Sequence, residues 1–324
     1  MNKGDDMQAG ETTTKSALVT GAVNAVGREV TRKLVAAGYR VTGAVSGSAE
    51  ATLLRQDGGL PAFPDLTRAG EIKSALAAAQ ADVVVHLAPQ APNHVPQIKT
   101  DWDGALRLLE SGTPALLSAA AAAGVKLIVL VSYAFAGEAA PAAHDGDEED
   151  AEPALVEAAR AAEEAVLSGP APACVLRAGY YYGAHSPATI ALRDALRGNR
   201  PLALGGEHSV ANWIHLDDLA AAVVAALDRR PTGALLDVVD DHPASPAEFA
   251  AYLARSLHVN EPGRMPDIAV RLMFGKTQIE LLERSVRASN ARAREALGWA
   301  PRLASYREGI DQTLLVLRAE EPVR

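Results

Sequence analysis

The chain has 324 residues, 48% of them apolar, enough to bury the core of one large domain or two moderate ones. Its formal net charge of −9 leaves no basic field for phosphate backbones, which argues against nucleic acid and anionic membrane as partners. The single cysteine, Cys174, allows no internal disulfide, and its run Ala173-Cys174-Val175-Leu176 marks a buried strand residue rather than a reactive thiol.

Residues 1–15 are polar and lack the apolar core of a signal peptide, so a disordered tail is expected. No stretch approaches the ~18 apolar residues that span a bilayer, and the expected compartment is the cytoplasm. Ala17 to Thr20 is a short apolar run ending at Gly21, the pattern of a buried parallel strand. Val26, Val30 and Leu34 then recur at helical spacing until Gly38. Arg40 to Val45 reads as a second strand and Leu60 to Phe63 as a third, followed by Asp65. Glu71 to Ala79 reads as a helix and Asp82 to Leu87 as a fourth strand. Ala115 to Ala123 is helical and leads through Gly124 into a fifth strand, Lys126 to Ser132. A helix over Leu155 to Leu167 and a sixth strand over Ala173 to Arg177 complete the regular half.

Strands alternating with helices imply an α/β doubly wound parallel sheet of the Rossmann kind. After Gly179 the alternation loosens: Ala191 to Leu196, Leu216 to Leu227 and Pro246 to Leu257 read as helices, and Ala234 to Val239 as a strand. The tail from Glu280 to Trp299 reads as one polar, Arg-rich helix. The expected organisation is a dinucleotide-binding domain over 16–178, completed by 212–239. A smaller substrate-binding lobe is expected from 179–211 and 240–324. Six acids between Asp145 and Glu152 read as a solvated loop rather than a cation site.

The sharpest local signal is Thr20-Gly21-Ala22-Val23-Asn24-Ala25-Val26-Gly27, set between a strand and a helix. Glycines in such a turn permit a sharp bend and close packing of helix on strand, and the first helical amides, those of Ala25 and Val26, face a diphosphate. Six further segments appear in order: Asp65-Leu66; His86-Leu87-Ala88-Pro89; Val131 to Gly137; Leu176 to Gly183, which holds Tyr180-Tyr181-Tyr182; Trp213 to Leu219; and Leu297 to Pro301. With the turn, they make the chain resemble the extended short-chain dehydrogenase/reductase superfamily, the NAD-dependent epimerase/dehydratase family, from Ser16 onward.

The resemblance implies NAD or NADP held by Gly21, Asn24, Ala25, Val26 and Gly27. Asp65, Leu66, Leu87, Ala88 and Pro89 would lie along the cofactor, and Ser132 would stand at the catalytic serine. It also implies a small-molecule substrate (a sugar, aromatic or polyketide-like compound) and pairing into a homodimer. The Ala-rich, Lys-poor composition suits bacterial secondary metabolism.

Three departures stand out. Asn24 replaces the middle glycine of the turn; it is expected to take a positive φ and to project beside the diphosphate. The second strand ends in Val45-Ser46-Gly47-Ser48, with no acid to repel a 2′-phosphate, which tilts the expectation toward NADP with Ser46 or Ser48 as donor. Counting back from Glu163, Leu155 and Ala159 occupy the positions of the family's Tyr-x-x-x-Lys pair. If hydride chemistry persists, the candidate proton donors are Ser132 with Tyr180 or Tyr181; packing beneath the second lobe is the other reading of those tyrosines. His86 reads as an interior residue, His94 as a cleft candidate by location alone, and Asp217 and Asp218 as caps of a late helix beside His215. No metal-ligand spacing, nucleophile elbow or Walker loop is present. Two functions remain: an atypical NAD(P)-dependent reductase, epimerase or dehydratase, or a redox-neutral cyclase, isomerase, lyase or regulatory binding protein.

Overall fold

The structure, a computed structural model, describes residues 15–87, 95–96, 100–139, 152–206 and 209–320. The expected N-terminal tail, apart from Lys15, lies outside these residues, as do Ala88, Pro89, His94 and the acids from Asp145 to Asp150.

In chain order the first half runs β1 (Ser16–Thr20), α1 (Ala25–Ala36), β2 (Arg40–Ala44), α2 (Ser48–Gln56), β3 (Leu60–Ala62), α3 (Ala69–Ala79) and β4 (Val83–His86). It continues with α4 (Trp102–Arg107), α5 (Thr113–Ala123), β5 (Leu127–Tyr133), α6 (Ala154–Ser168) and β6 (Ala173–Ala178). The second half holds β7 (Tyr180–Tyr182), α7 (Pro187–Arg197), β8 (Trp213–His215), α8 (Leu216–Arg229), β9 (Leu235–Val238) and α9 (Pro246–Ser256). It closes with α10 (Asp267–Phe274), α11 (Lys276–Glu283), α12 (Ala291–Leu297) and α13 (Tyr306–Glu320).

Seven parallel strands form one sheet in the order β3-β2-β1-β4-β5-β6-β9. The expected α/β doubly wound sheet is therefore present, with helices on both faces. β1 and β4 are buried along their whole length, which is why they read as unbroken apolar runs. The chain winds outward from β1 through β2 to β3, then returns across β1 to start β4. Strand order thus reverses between β1 and β4, and ligands of open α/β sheets bind at the carboxyl ends of strands at such a reversal. Val26, Val30 and Leu34 of α1 pack in the same buried cluster as Val19 of β1 and Leu219, Val223 and Leu227 of α8.

β7 and β8 make a separate parallel pair, Tyr180 facing Trp213 and Tyr182 facing His215 in register. Their aromatic rings continue a column from the sheet's end to α9. Phe135 stacks on Tyr180, Tyr180 leans on Trp213, and Trp213 stacks on Phe249 at 4.0 Å between centroids. No helix among the described residues is long and apolar enough to cross a membrane.

Several elements differ from expectation: α4, β7, β8 and α10 have no counterpart in the sequence reading, and three further differences are informative. The helix α2 went unread because only Ala51 and Leu54 of its nine residues are buried, too few to print a stripe. The C-terminal α13 also went unread, although Tyr306, Ile310, Leu314 and Leu317 form its buried face. The tail read as one helix from Glu280 to Trp299 is broken between α11 and α12. There the backbone bonds sideways: Asn212 Nδ2 donates to the Val286 carbonyl at 2.7 Å and Ala288 N–H donates to Asn212 Oδ1 at 3.0 Å. Val286 also bridges antiparallel to Ala139.

Just past β9, Asp240 is buried; its Oδ1 accepts from His242 N–H, whereas its Oδ2 and the Tyr182 hydroxyl are buried with no hydrogen-bond partner among the described residues. Burial pushes the Asp240 carboxyl up to about 8, with Asp241 and Asp218 nearby in the same direction. A folded-state value above the unfolded one contributes stability at low pH that is lost as pH rises through 8. Chemical denaturation from pH 6 to 9.5 should show wild type losing about 2 kcal/mol relative to Asp240→Asn between pH 6 and 8, with no further relative loss above pH 8. Parallel curves for the two proteins would show that the carboxyl is ionised throughout.

Candidate active site

The turn after β1 is built by two glycines and one asparagine. Gly21 takes φ +64°, and a Cβ on Gly27 would sit 2.0 Å from the Gly21 carbonyl oxygen, so helix and turn touch only because side chains are absent. Asn24 departs from expectation: its φ is −69°, and its side chain turns inward rather than toward a diphosphate. Oδ1 accepts from Gly27 N–H at 2.7 Å as the N-cap of α1, and Nδ2 donates to the Leu87 carbonyl at 3.3 Å. The Ala25 and Val26 amides occupy the first two positions of the helix, where no intrahelical acceptor exists. A cradle that a Cβ would fill, with amides at a helix start, fits a diphosphate.

Leu87 closes the cradle from the β4 side. Its N–H donates to Thr20 Oγ1 at 3.2 Å, and Thr20 Oγ1 lies 2.7 Å from His86 Nδ1. His86 Nε2 lies 3.3 Å from Thr113 Oγ1, and burial pushes the imidazole down to about 4. His86 is therefore the satisfied interior residue that was expected, a neutral ring linking β1, β4 and α5.

At the neighbouring strand ends, Val45 N–H donates to the Ala62 carbonyl at 2.9 Å, which carries the β2–β3 pairing up to Ser46. Ser46 is exposed, and its N–H donates to Glu50 Oε2 at 2.7 Å. Asp65 accepts from Thr67 N–H and Oγ1, contacts that hold its carboxyl below the usual range. Leu66 is half-buried beside it. The absence of an acid at this rim, read from residues 45–48, is corrected: Glu50 brings one there from the first turn of the unread α2.

Ser132 is buried near the end of β5 and stands in register with Arg177 of β6. Arg177 holds Glu163 of α6 through both carboxylate oxygens, Nε at 3.0 Å to each. Burial works against the Arg177 charge, but Glu163 outweighs it and raises the guanidinium above its ordinary value. Residues four and eight positions before Glu163 share its helix face, so Ala159 and Leu155 also point inward. Both are essentially inaccessible and belong to the same apolar cluster as Tyr133, Phe135 and Tyr180.

Tyr180 is wedged between Phe135 and Trp213, and burial raises its phenol. Tyr181 faces the other way, packed against the main-sheet cluster, close enough to Tyr133 to help raise that phenol, which burial already pushes up. His215 caps α8 itself, its Nδ1 accepting from Asp217 N–H at 3.2 Å. Asp218, read as a cap, instead accepts from Arg302 and Leu303 N–H and holds the C-terminal segment. Cys174 is fully buried and its thiol is pushed up to about 12 by burial, as its strand position implied.

Two residues escaped the sequence reading. Arg284 donates to the Phe135 and Gly137 carbonyls and pairs with Glu152, and nothing in its local sequence signals this. Glu50 could have been found as an acid in the first turn of a helix starting after Gly47.

The family model for the NAD-dependent epimerase/dehydratase family matches residues 17–238. The chain belongs to that family. A curated relative, the 3-diazoavenalumate denitrifying reductase of a Streptomyces species, is 33% identical over 316 residues, covering 90% of this chain and 98% of the relative. The Bacillus cereus UDP-glucuronic acid 4-epimerase, solved with UDP-glucuronic acid and NAD, superposes with TM-score 0.74 at 16% identity over 94% of this chain and 99% of that one. A human epimerase-family protein solved with NADPH gives TM-score 0.72 at 22% identity over 92% and 98% of the two chains.

Replacing Asn24 by Ala should lower stability by about 1 kcal/mol, and by Gly only a few tenths, in denaturant unfolding. Glu163→Ala removes the bidentate partner of half-buried Arg177, leaving Asp237 in register on β9 as a neighbouring acid, and should cost about 3 kcal/mol. A loss under 1 kcal/mol would remove the ion pair as the anchor of α6.

Proposed function

We propose that the protein is an NAD(P)-dependent reductase that acts on an activated aromatic electrophile of the diazonium class and uses no proton donor of its own. The observation that carries this is the inward face of α6. Where the resemblance puts a tyrosine and a lysine, Leu155 and Ala159 are buried. Reducing a carbonyl requires a proton for the developing alkoxide, and neither residue can give one. The name of the Streptomyces relative, a denitrifying reductase of a diazo compound, points to an acceptor without that requirement. Reduced nicotinamide would supply hydride, and replacing dinitrogen on a ring carbon breaks one C–N bond, forms one C–H bond and releases N2 with no proton exchanged.

The chain's own residues then have modest tasks. Gly21, Ala25, Val26 and Gly27 hold the diphosphate, with Asn24 bracing the turn. Asp65, Leu66 and Leu87, with Ala88 and Pro89 by resemblance, line the path of the adenosine and ribose. Ser132 orients the substrate by a hydrogen bond. The apolar floor of Tyr133, Phe135, Leu155 and Tyr180 suits a planar ring and excludes water. A sugar would leave its hydroxyls without partners there.

A second reading keeps an acid: Ser132 with Tyr181 or Tyr180 replaces the missing pair. It is favoured by one observation, the nearness of the Tyr181 phenol to Tyr133 at the end of β5. Mixing the protein with NADH or NADPH and an arenediazonium salt, against an enzyme-free control, should give nicotinamide oxidation and N2 in equal amounts. Under the first reading Tyr180→Phe and Tyr181→Phe keep kcat within about threefold; a relay predicts losses of about a hundredfold or more. Binding of a dinucleotide without oxidation across diazo and carbonyl substrates would turn the assignment to the redox-neutral class. Leu155→Tyr with Ala159→Lys should add carbonyl reduction absent from wild type.

A further inference from the structure

We infer that Arg284 is a positioning residue: it fixes the turn that follows Ser132 and so sets the aromatic floor against the bound ring. This rests on the reductase reading above and adds to it a residue that no motif marks. Residues Ala134 to Ala136 make a single helical turn directly after β5, with Gly137 N–H donating to the Ala134 carbonyl at 3.0 Å. Carbonyls at the end of so short a turn lack intrahelical donors and are satisfied from elsewhere. Two guanidinium groups do this. Arg284 Nε donates to the Phe135 carbonyl at 2.8 Å and its Nη2 to the Gly137 carbonyl at 2.9 Å. Arg160 of α6 donates to the Ala136 and Gly137 carbonyls at 2.7 and 2.9 Å. Three successive carbonyls are thus gripped by two forks. Glu152 pairs with both, at 3.1 Å from Arg284 and 2.9 Å from Arg160.

The two arginines are not equivalent. Arg160 leaves 38% of its side chain exposed, Arg284 only 7%. Burying a cation is costly, and a neutral side chain would satisfy a carbonyl at less cost. What the guanidinium adds is geometry, because its planar fork spans carbonyls two residues apart and a point donor does not. The base of the fork is fixed as well. Val210 N–H donates to Ser285 Oγ at 2.9 Å and Asn212 Nδ2 to the Val286 carbonyl at 2.7 Å, so the segment just past α11 is anchored. The turn that Arg284 grips carries Phe135, whose ring stacks on Tyr133 at 4.7 Å and on Tyr180 at 5.8 Å. Arg284 also lies close enough to Tyr180 for its charge to oppose the rise that burial gives that phenol. Ser132 stands three residues before Phe135, near the end of β5. A shift of this turn moves both the ring and the hydroxyl that the proposed reaction uses, and a displacement of about 1 Å in such groups costs up to about a hundredfold in rate.

The test is steady-state turnover of an arenediazonium salt with NADH or NADPH, comparing wild type with Arg284→Ala and Arg284→Lys. Arg284→Ala should lower kcat about tenfold or more while dinucleotide affinity stays within about threefold. Methylguanidinium, which fits the space the side chain leaves, should recover most of that loss and leave wild type unchanged. Arg284→Lys keeps the charge without the fork and should stay impaired. Circular dichroism and thermal midpoints check that each variant is folded; should Arg284→Ala not fold, Arg284→Lys carries the comparison. Wild-type kcat in either folded variant overturns the role, as does a loss in Arg284→Ala that methylguanidinium leaves in place or that dinucleotide binding shares. If wild type turns over no diazonium salt, the reductase reading falls, and near-UV circular dichroism of the aromatic floor decides the clamp by itself. A spectrum unchanged in Arg284→Ala overturns it, and one that changes and is restored by methylguanidinium upholds it.

Discussion

The buried ion pair between Arg177 on β6 and Glu163 on α6 is the constraint from which the chemistry of this site follows. A helix lying on a sheet can slide or rotate at small cost when its face is alanine and valine, because such surfaces carry little shape to register. A bidentate guanidinium–carboxylate contact in a poorly solvated place does not tolerate that freedom, since a small shift breaks its parallel hydrogen bonds and strands the buried Glu163 carboxylate. Glu163 therefore sets the rotation of α6, and rotation decides which residues turn inward. They are Leu155 and Ala159, neither of which can give up a proton.

How much of this was legible in advance depended on the kind of force involved. The parallel sheet announced itself because strands buried on both faces must be apolar throughout, as in Val83-Val84-Val85. Glu163 was legible too, as the acid that fixes the register of the stretch resembling the family's Tyr-x-x-x-Lys segment, although its partner Arg177 was not. The short α2 was not, because an exposed helix of nine residues with two buried positions carries no periodic signal. That omission spread: without α2, Glu50 had no place beside Ser46, and the rim looked free of acid. The broken tail failed for another reason. Its helical composition was real, but Asn212, some seventy residues earlier, captures the backbone groups of Val286 and Ala288 that a continuous helix needs.

Asn24 shows how a departure from a motif can preserve the motif's geometry. Glycine at that position is usually explained by the approach of a diphosphate to bare backbone. Here the side chain folds back, satisfies the third helical amide and fastens the turn to β4 through Leu87. The turn is held from two sides before any ligand arrives. One amide is withdrawn from the anion site in exchange, leaving those of Ala25 and Val26 to meet the phosphate charge.

The tyrosines illustrate the opposite case, residues whose packing is set by strand alternation rather than by their chemistry-bearing ends. Three consecutive tyrosines at the end of a sheet strand invite a catalytic reading, yet alternation along β7 sends Tyr180 and Tyr182 into one cluster and Tyr181 into the other. Tyr180 and Tyr182 extend the aromatic column through Trp213 and Phe249, where burial raises their phenols and makes ionisation costly. A phenol in a low-dielectric setting is a poor acid, so the column is better suited to building an apolar wall than to moving protons. An apolar wall is what a charged, planar, water-sensitive electrophile requires if hydride is to reach it before solvent does. Under the proposed function, Leu155 and Ala159 on α6 and the aromatic wall act in the same direction, toward acceptors that carry their own leaving group.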